Sequence, residues 1–156
     1  MAAVLRRMTV LSIWEETWSL GDGGGVPDEK LFVERFLENG VEIDFLIPEP
    51  AEDPSSREQT GLHYHTYPNI FESLSAIPRP ARRLLLPVIF ASKVRGPLLD
   101  IVRRTQPDLL LGFSHHAIRP VSEVSRMTGI PSAAKLFGVM YLARKDISPL
   151  RRWWLN

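Results

Sequence analysis

Three groups of residues in this 156-residue chain are of types that do chemistry. Ser114-His115-His116 sets a hydroxyl beside two imidazoles, a combination suited to hydrogen-bonding ligand hydroxyls or moving a proton near neutral pH. One of the two histidines is expected to point inward and be structural. Gly21-Asp22-Gly23-Gly24-Gly25 carries backbone N–H groups that no side chain shields. Those of Gly23, Gly24 and Gly25 can approach a phosphate or a sugar closely. His63 and His65, two apart, share one side of an extended segment, but no third ligand stands at a recognisable spacing. No metal site is read there, and the pair is expected to be polar decoration on the exposed face of a strand.

The glycine run is not a self-sufficient nucleotide site. A dinucleotide fingerprint turns directly after its strand, whereas seven residues separate Ile13 from Gly21, and Val26 occupies the third glycine position. A P-loop is excluded because Gly-Lys-Ser/Thr is missing. Asp28 and Glu29 already meet the dipole of the helix that Pro27 opens, so a bare polyanion is repelled unless cations come from elsewhere.

The elements that must position these groups alternate strand and helix. Met8 to Ile13 is a short apolar strand, and Phe32, Val33, Phe36 and Leu37 recur at helical spacing before Asn39-Gly40 stops the helix. Val41, Ile43, Phe45 and Ile47 alternate with Glu42 and Asp44, which predicts a second strand with one wetter face, nearer a sheet edge. Leu62 to Thr66 is a third strand. Pro80 to Arg104 is helical in pattern, with Pro87 and Gly96-Pro97 expected to kink or divide it. Asp108 to Phe113 is a continuous apolar run, the mark of a central parallel strand. Ala117, Val121, Val124 and Met127 give the next helix, with Pro120 placed in its first turn and Gly129 as its stop. Ile130 to Phe137 reads as a fifth strand.

This succession predicts an α/β fold, a doubly wound parallel sheet of order 3-2-1-4-5. Ligands then bind beyond the carboxyl ends of the strands where the order reverses, between strands one and four. Ser114, His115 and His116 follow strand four directly, and Phe137-Gly138 should lie alongside.

Composition sets the bounds. At this length one domain buries roughly 70% of the surface its unfolded chain exposes, and 44% apolar with 24% charged residues is ordinary for a globular protein. Without cysteine there is neither a disulfide framework nor thiol chemistry, and without a signal or a long apolar run the chain is read as cytoplasmic. A net charge of +1 conceals a division: residues 14–61 hold thirteen acidic and three basic side chains, residues 79–104 seven basic against Asp100 alone. The stretch from Arg82 and Arg83 to Phe90 mixes cations with apolar residues as interfacial helices do, so peripheral membrane contact is weighed against an ordinary core helix. Nucleic acid is not a partner, since the acidic half repels it and no binding motif is present. Two tryptophans at the end, Trp153 and Trp154, want cover, and the chain is expected to stop before its fold is finished.

Val10 to Pro48, Gln106 to Ser114 and Thr128 to Gly138 together resemble the amino-terminal domain of GT-B glycosyltransferases, particularly the family 4 retaining enzymes. The resemblance implies a sugar transferase using a nucleotide-sugar as substrate, with no cofactor. Residues 1–156 would be a single Rossmann-like, acceptor-side domain, inactive alone. Ser114, His115, His116 and Gly138 would hold a small-molecule, glycan or lipid acceptor, and Gly23, Gly24 and Gly25 would near the donor phosphates. The phosphate-binding cations would lie on an absent carboxyl-terminal donor domain. Leu136-Phe137-Gly138 departs from the Leu-His-Gly pattern of many relatives, so no catalytic residue is assigned. Two other readings fit the residues: a stand-alone α/β binding or interaction module docking on a partner or membrane, and a flavodoxin-like nucleotide or flavin binder.

Overall fold

The computed structural model describes residues 5–13, 27–49, 60–70, 74 and 77–135, leaving aside the side chains of Pro27, Asp28, Arg83 and Leu84. The glycine run, Gly138 and the tryptophan tail lie outside the described residues. In chain order the elements are β1 (Arg7–Leu11), α1 (Pro27–Glu38), β2 (Glu42–Pro48), β3 (Leu62–Tyr67), α2 (Arg79–Thr105), β4 (Leu109–Phe113), α3 (His115–Thr128) and β5 (Ser132–Lys135). The five strands pair parallel in the order β3-β2-β1-β4-β5, the doubly wound arrangement expected from the sequence.

Strand alternation sends side chains to two faces, and each face has its own core. On one, α1 lays Val33, with Phe32, Phe36 and Leu37 beside it, over Met8, Val10, Ile43, Phe45, Ile47, Leu111 and Phe113. On the other, α2 and α3 bring Phe90, Val94, Leu98, Ile101, Val102, Ala117, Val121 and Val124 onto Leu11, Leu46, Tyr67 and Leu110. Asp108 fastens the amino-terminal ends together: its Oδ2 accepts from the backbone N–H of Arg6 (2.8 Å) and Arg7 (3.1 Å).

Four expectations are corrected. First, Pro87 and Gly96-Pro97 do not divide α2, which is one helix of 27 residues, although Pro87 and Pro97 have no N–H for the carbonyls of Arg83 and Lys93. Each interior proline costs about 3 kcal/mol. Burial of Phe90, Val94, Leu98, Ile101 and Val102 returns about 1.5–3 kcal/mol apiece, so packing wins and the helix continues. Second, α3 starts at His115, so Pro120 is an interior, buried residue rather than a first-turn one, and Met127 points out at 58% exposure. Third, β5 begins at Ser132 rather than Ile130 and is described as Ser132–Lys135, exposed along Ser132 to Ala134; Leu136 and Phe137 lie outside the described residues.

Fourth, β2, which lies one strand in from the edge as the predicted order has it, is buried on both faces from Ile43 onward rather than wet on one. Its supposed wet face carries Asp44, which is 1% exposed. Asp44 Oδ2 accepts from Arg7 Nε at 2.7 Å, and its Oδ1 from Arg7 Nη2 at 3.1 Å, with His65 Nε2 at 3.0 Å from the same Oδ1. Arg7 also reaches Glu42 at 2.9 Å. Burial opposes the charge on Asp44, but the hydrogen bonds from His65 and Arg7 outweigh it and hold the carboxyl well below the usual carboxylate range.

Candidate functional site

The site is built at the carboxyl ends of β1 and β4, which are neighbours in the sheet with Leu11 in register with Gly112. Gly112 suits the close approach of α3: a Cβ there would stand 3.0 Å from Ala117 Cβ and 3.3 Å from that residue's backbone, so α3 would have to give by a few tenths of an ångström. The close approach starts α3 one residue after the strand ends, leaving Ser114 to make the turn alone.

Ser114 makes it in a conformation that is nearly glycine's own, φ 83° and ψ 163°. Its N–H donates to Lys135 O (3.0 Å), tying the turn to β5, and its Oγ accepts the N–H of His116 at 3.3 Å as the helix cap. The hydroxyl proton is therefore left to donate elsewhere. The residue is 7% exposed, so the elements around it, not solvent, fix its geometry.

His115 and His116 follow as the first turn of α3, their ring centroids 3.9 Å apart. His115 faces outward, while His116 is half-buried, 6.3 Å from the ring of Phe90 on α2, which meets Tyr67 edge to face at 5.8 Å. The Tyr67 hydroxyl donates to Ser12 O at 2.9 Å, so this chain of rings ends at β1. Burial, with His115 alongside, pushes the His116 imidazole down to about 4, and burial also lowers His115. His116 is thus a neutral hydrogen-bonding group at neutral pH. With so low a pKa it is poorly matched to general-base work, which favours a group near the working pH.

A cation that the sequence left unassigned completes this rim. Lys135 Nζ lies 5.5 Å from the Phe32 ring centroid and 5.8 Å from that of Phe113, and those two rings meet edge to face at 5.7 Å. The only trace of it in sequence was a lysine inside the Ile130 to Phe137 run; the aromatic partners are far apart in the chain. Glu29, read as a charge on the first turn of α1, is fully buried.

Of the sequence-derived site residues, Ser114, His115 and His116 are brought together at the strand-order switch point. Gly23, Gly24, Gly25 and Gly138 lie outside the described residues. His63 is exposed, and His65 is spent on Asp44; among the described residues no group of three or more His, Cys, Asp or Glu could hold a metal. No helix among the described residues is long and apolar enough to cross a membrane.

No family model and no curated protein matches the sequence. Solved structures share its fold. The calicheamicin glycosyltransferase CalG4 superposes with a TM-score of 0.66 at 12% identity, over 97% of this chain and 36% of that one. UGT2 of Phytolacca americana, solved with UDP-2-fluoro-glucose and pterostilbene, gives 0.59 at 13% over 87% and 31%. The carboxyl-terminal domain of the PF1911 hydrogenase from Pyrococcus furiosus gives 0.54 at 15% over 84% and 91%. At these identities the likeness is one of fold alone. The chain spans about a third of the length of the two glycosyltransferases.

Proposed function

We propose that this chain is the acceptor-side domain of a GT-B glycosyltransferase, of the family 4 type its motifs resemble, and that it moves a sugar only together with a donor-binding domain. The observation that carries the reading is Ser114-His115-His116 at the switch point of a 3-2-1-4-5 parallel sheet, in a fold that matches CalG4 along nearly the whole chain. The Ser114 hydroxyl and two neutral imidazoles suit an acceptor's hydroxyls. Gly138 would join them, and Gly23, Gly24 and Gly25 would face the donor phosphates across the cleft. Lys135 supplies one cation to that rim from this chain, with the remainder expected from the donor half.

The experiment is sugar transfer from a panel of labelled nucleotide-sugars. The chain alone should give no product, and the chain joined to the Rossmann-like domain encoded beside it should give one. Absence of any such domain in the neighbouring DNA would remove the support for an enzyme.

A second reading is favoured by one observation: the PF1911 domain has this fold and nearly this size. A stand-alone α/β binding module would then be the alternative. Calorimetry with flavin mononucleotide and nucleotides separates the two, since micromolar binding to the isolated chain fits the module and contradicts the divided site.

A further inference from the structure

The ladder that joins β1 to β2 lacks a donor at its carboxyl end, and a side chain from β3 replaces it. Glu42 N–H donates to Arg6 O at 2.9 Å and Ser12 N–H to Leu46 O at 3.0 Å, so alternate residues from Arg6 to Ser12 turn their backbone groups toward β2. Continued by one step, this parallel pattern brings the N–H of residue 48 to the carbonyl of Ser12. Residue 48 is proline and has no N–H. Ser12 O accepts instead from the Tyr67 hydroxyl at 2.9 Å, which reaches across β2 from the register partner of Pro48. Tyr67 is fully buried.

The same peptide carries the N–H of Ile13. In a trans peptide the C=O and the following N–H point to opposite sides, so with Ser12 O held toward Tyr67 the Ile13 N–H is turned toward β4. Pairing of β1 with β4 stops at Leu11 and Gly112, and Ser114 on the opposite lip gives its own N–H to Lys135 O on β5. The Ile13 N–H therefore opens into the crevice at the switch point and has no acceptor among the described residues, although Ile13 is only 6% exposed. A buried backbone donor in that state is uncommon.

We propose that Tyr67 is a positioning residue of the rim: its hydroxyl sets the Ser12–Ile13 peptide so that the Ile13 N–H donates to a substrate oxygen in the crevice, across from Ser114. Neighbouring strands stand about 4.8 Å apart, a gap that one oxygen bridges with hydrogen bonds to both lips. A neutral N–H selects for an oxygen rather than for a charge. Resting on the acceptor-side reading, that oxygen is a hydroxyl of the acceptor, received by Ile13 N–H on one lip and by the Ser114 hydroxyl on the other. Tyr67 also meets Phe90, whose ring stands against His116, so one side chain braces both lips.

Tyr67→Phe keeps the ring against Phe90 and removes the hydroxyl alone. In the joined, two-domain enzyme it should raise the acceptor KM at least about fivefold, the worth of one hydrogen bond, and leave the donor KM unchanged. Pro48→Ala restores a backbone N–H where the ladder needs one, so P48A/Y67F should return the acceptor KM to within about twofold of wild type. A tyrosine with a structural role only would lower the thermal melt of Tyr67→Phe and leave both KM values in place. Amide NMR of the full chain reads the peptide without any transfer: the Ile13 resonance should move in Tyr67→Phe and return in the double variant. If the wild-type joined protein makes no product, the acceptor-side reading falls and the substrate contact with it, while the NMR arm still decides the positioning. Overturning results are an Ile13 amide that ignores the loss of the hydroxyl, an acceptor KM unchanged in Tyr67→Phe, or a double variant no better than Tyr67→Phe.

Discussion

Two polar clusters sit on this sheet, and they are built on opposite terms. Toward the amino-terminal ends, Arg7, Glu42, Asp44 and His65 form a closed network in which the buried carboxylate meets Arg7 and His65 and nothing in the backbone is strained. At the carboxyl-terminal rim, Ser114, His115 and His116 form an open one: a serine in a glycine's conformation, a long capping bond and imidazoles held neutral by burial. The first cluster fills a part of the sheet with charges that satisfy each other and so contributes stability. The second forgoes stability that an ordinary glycine turn would have supplied, a strain that on the acceptor-side proposal serves ligand binding.

Removing the hub of the closed network should have the largest effect. Asp44→Ala leaves Arg7 and His65 without their acceptor and should destabilise by about 3 kcal/mol, read from the urea midpoint. On the acceptor-side proposal, sugar transfer by the joined, two-domain protein should not change. If it falls, the two clusters are not separate.

Acid should tell them apart next. For His116 the folded pKa lies below the unfolded value, so the folded state takes up its proton later, and stability is full above pH 6.5 and declines down to pH 4. Allowing for partial solvent access, the loss is about 2 kcal/mol, and His116→Asn should abolish it. Asp44, also depressed, contributes stability that is present above its unfolded value near 3.8 and is lost below it. The two limbs of an acid-unfolding curve should thus respond to different variants.

Ser114 sharpens the contrast by sign. Ser114→Gly removes backbone strain that costs about 1–3 kcal/mol against a cap where glycine loses only a few tenths, so the protein should gain about 1 kcal/mol. Ser114→Ala keeps the strain and loses the cap, and should lose about 1 kcal/mol. Thermal melts read both. The smallest effect belongs to Lys135→Met, which gives up cation–π contacts worth about 0.5–1 kcal/mol while keeping most of the volume.

The sheet order was legible in the chain because strands buried on both faces are continuous apolar runs, as in Leu109 to Phe113, and because Asn39-Gly40 and Gly129 mark helix ends, with Gly40 and Gly129 at positive φ. The placement of Ser114-His115-His116 followed from that order. What was illegible depends on long-range packing. Pro87 and Pro97 signal breaks that the buried side of α2 overrides. Asp44 reads as a surface carboxylate because its partners stand 37 and 21 residues away. The positive φ of Ser114 has no signal in a serine, and the aromatic neighbours of Lys135, Phe32 and Phe113, are far from it in the chain.

The measurement closest to the central claim compares wild type and Ser114→Gly in the joined, two-domain enzyme, reading sugar transfer and thermal stability on the same samples. The account predicts a variant that melts higher yet transfers at least about tenfold more slowly, an oriented hydrogen bond being worth more than about 1 kcal/mol at the reacting group. A variant that melts higher and transfers as fast as wild type would contradict it.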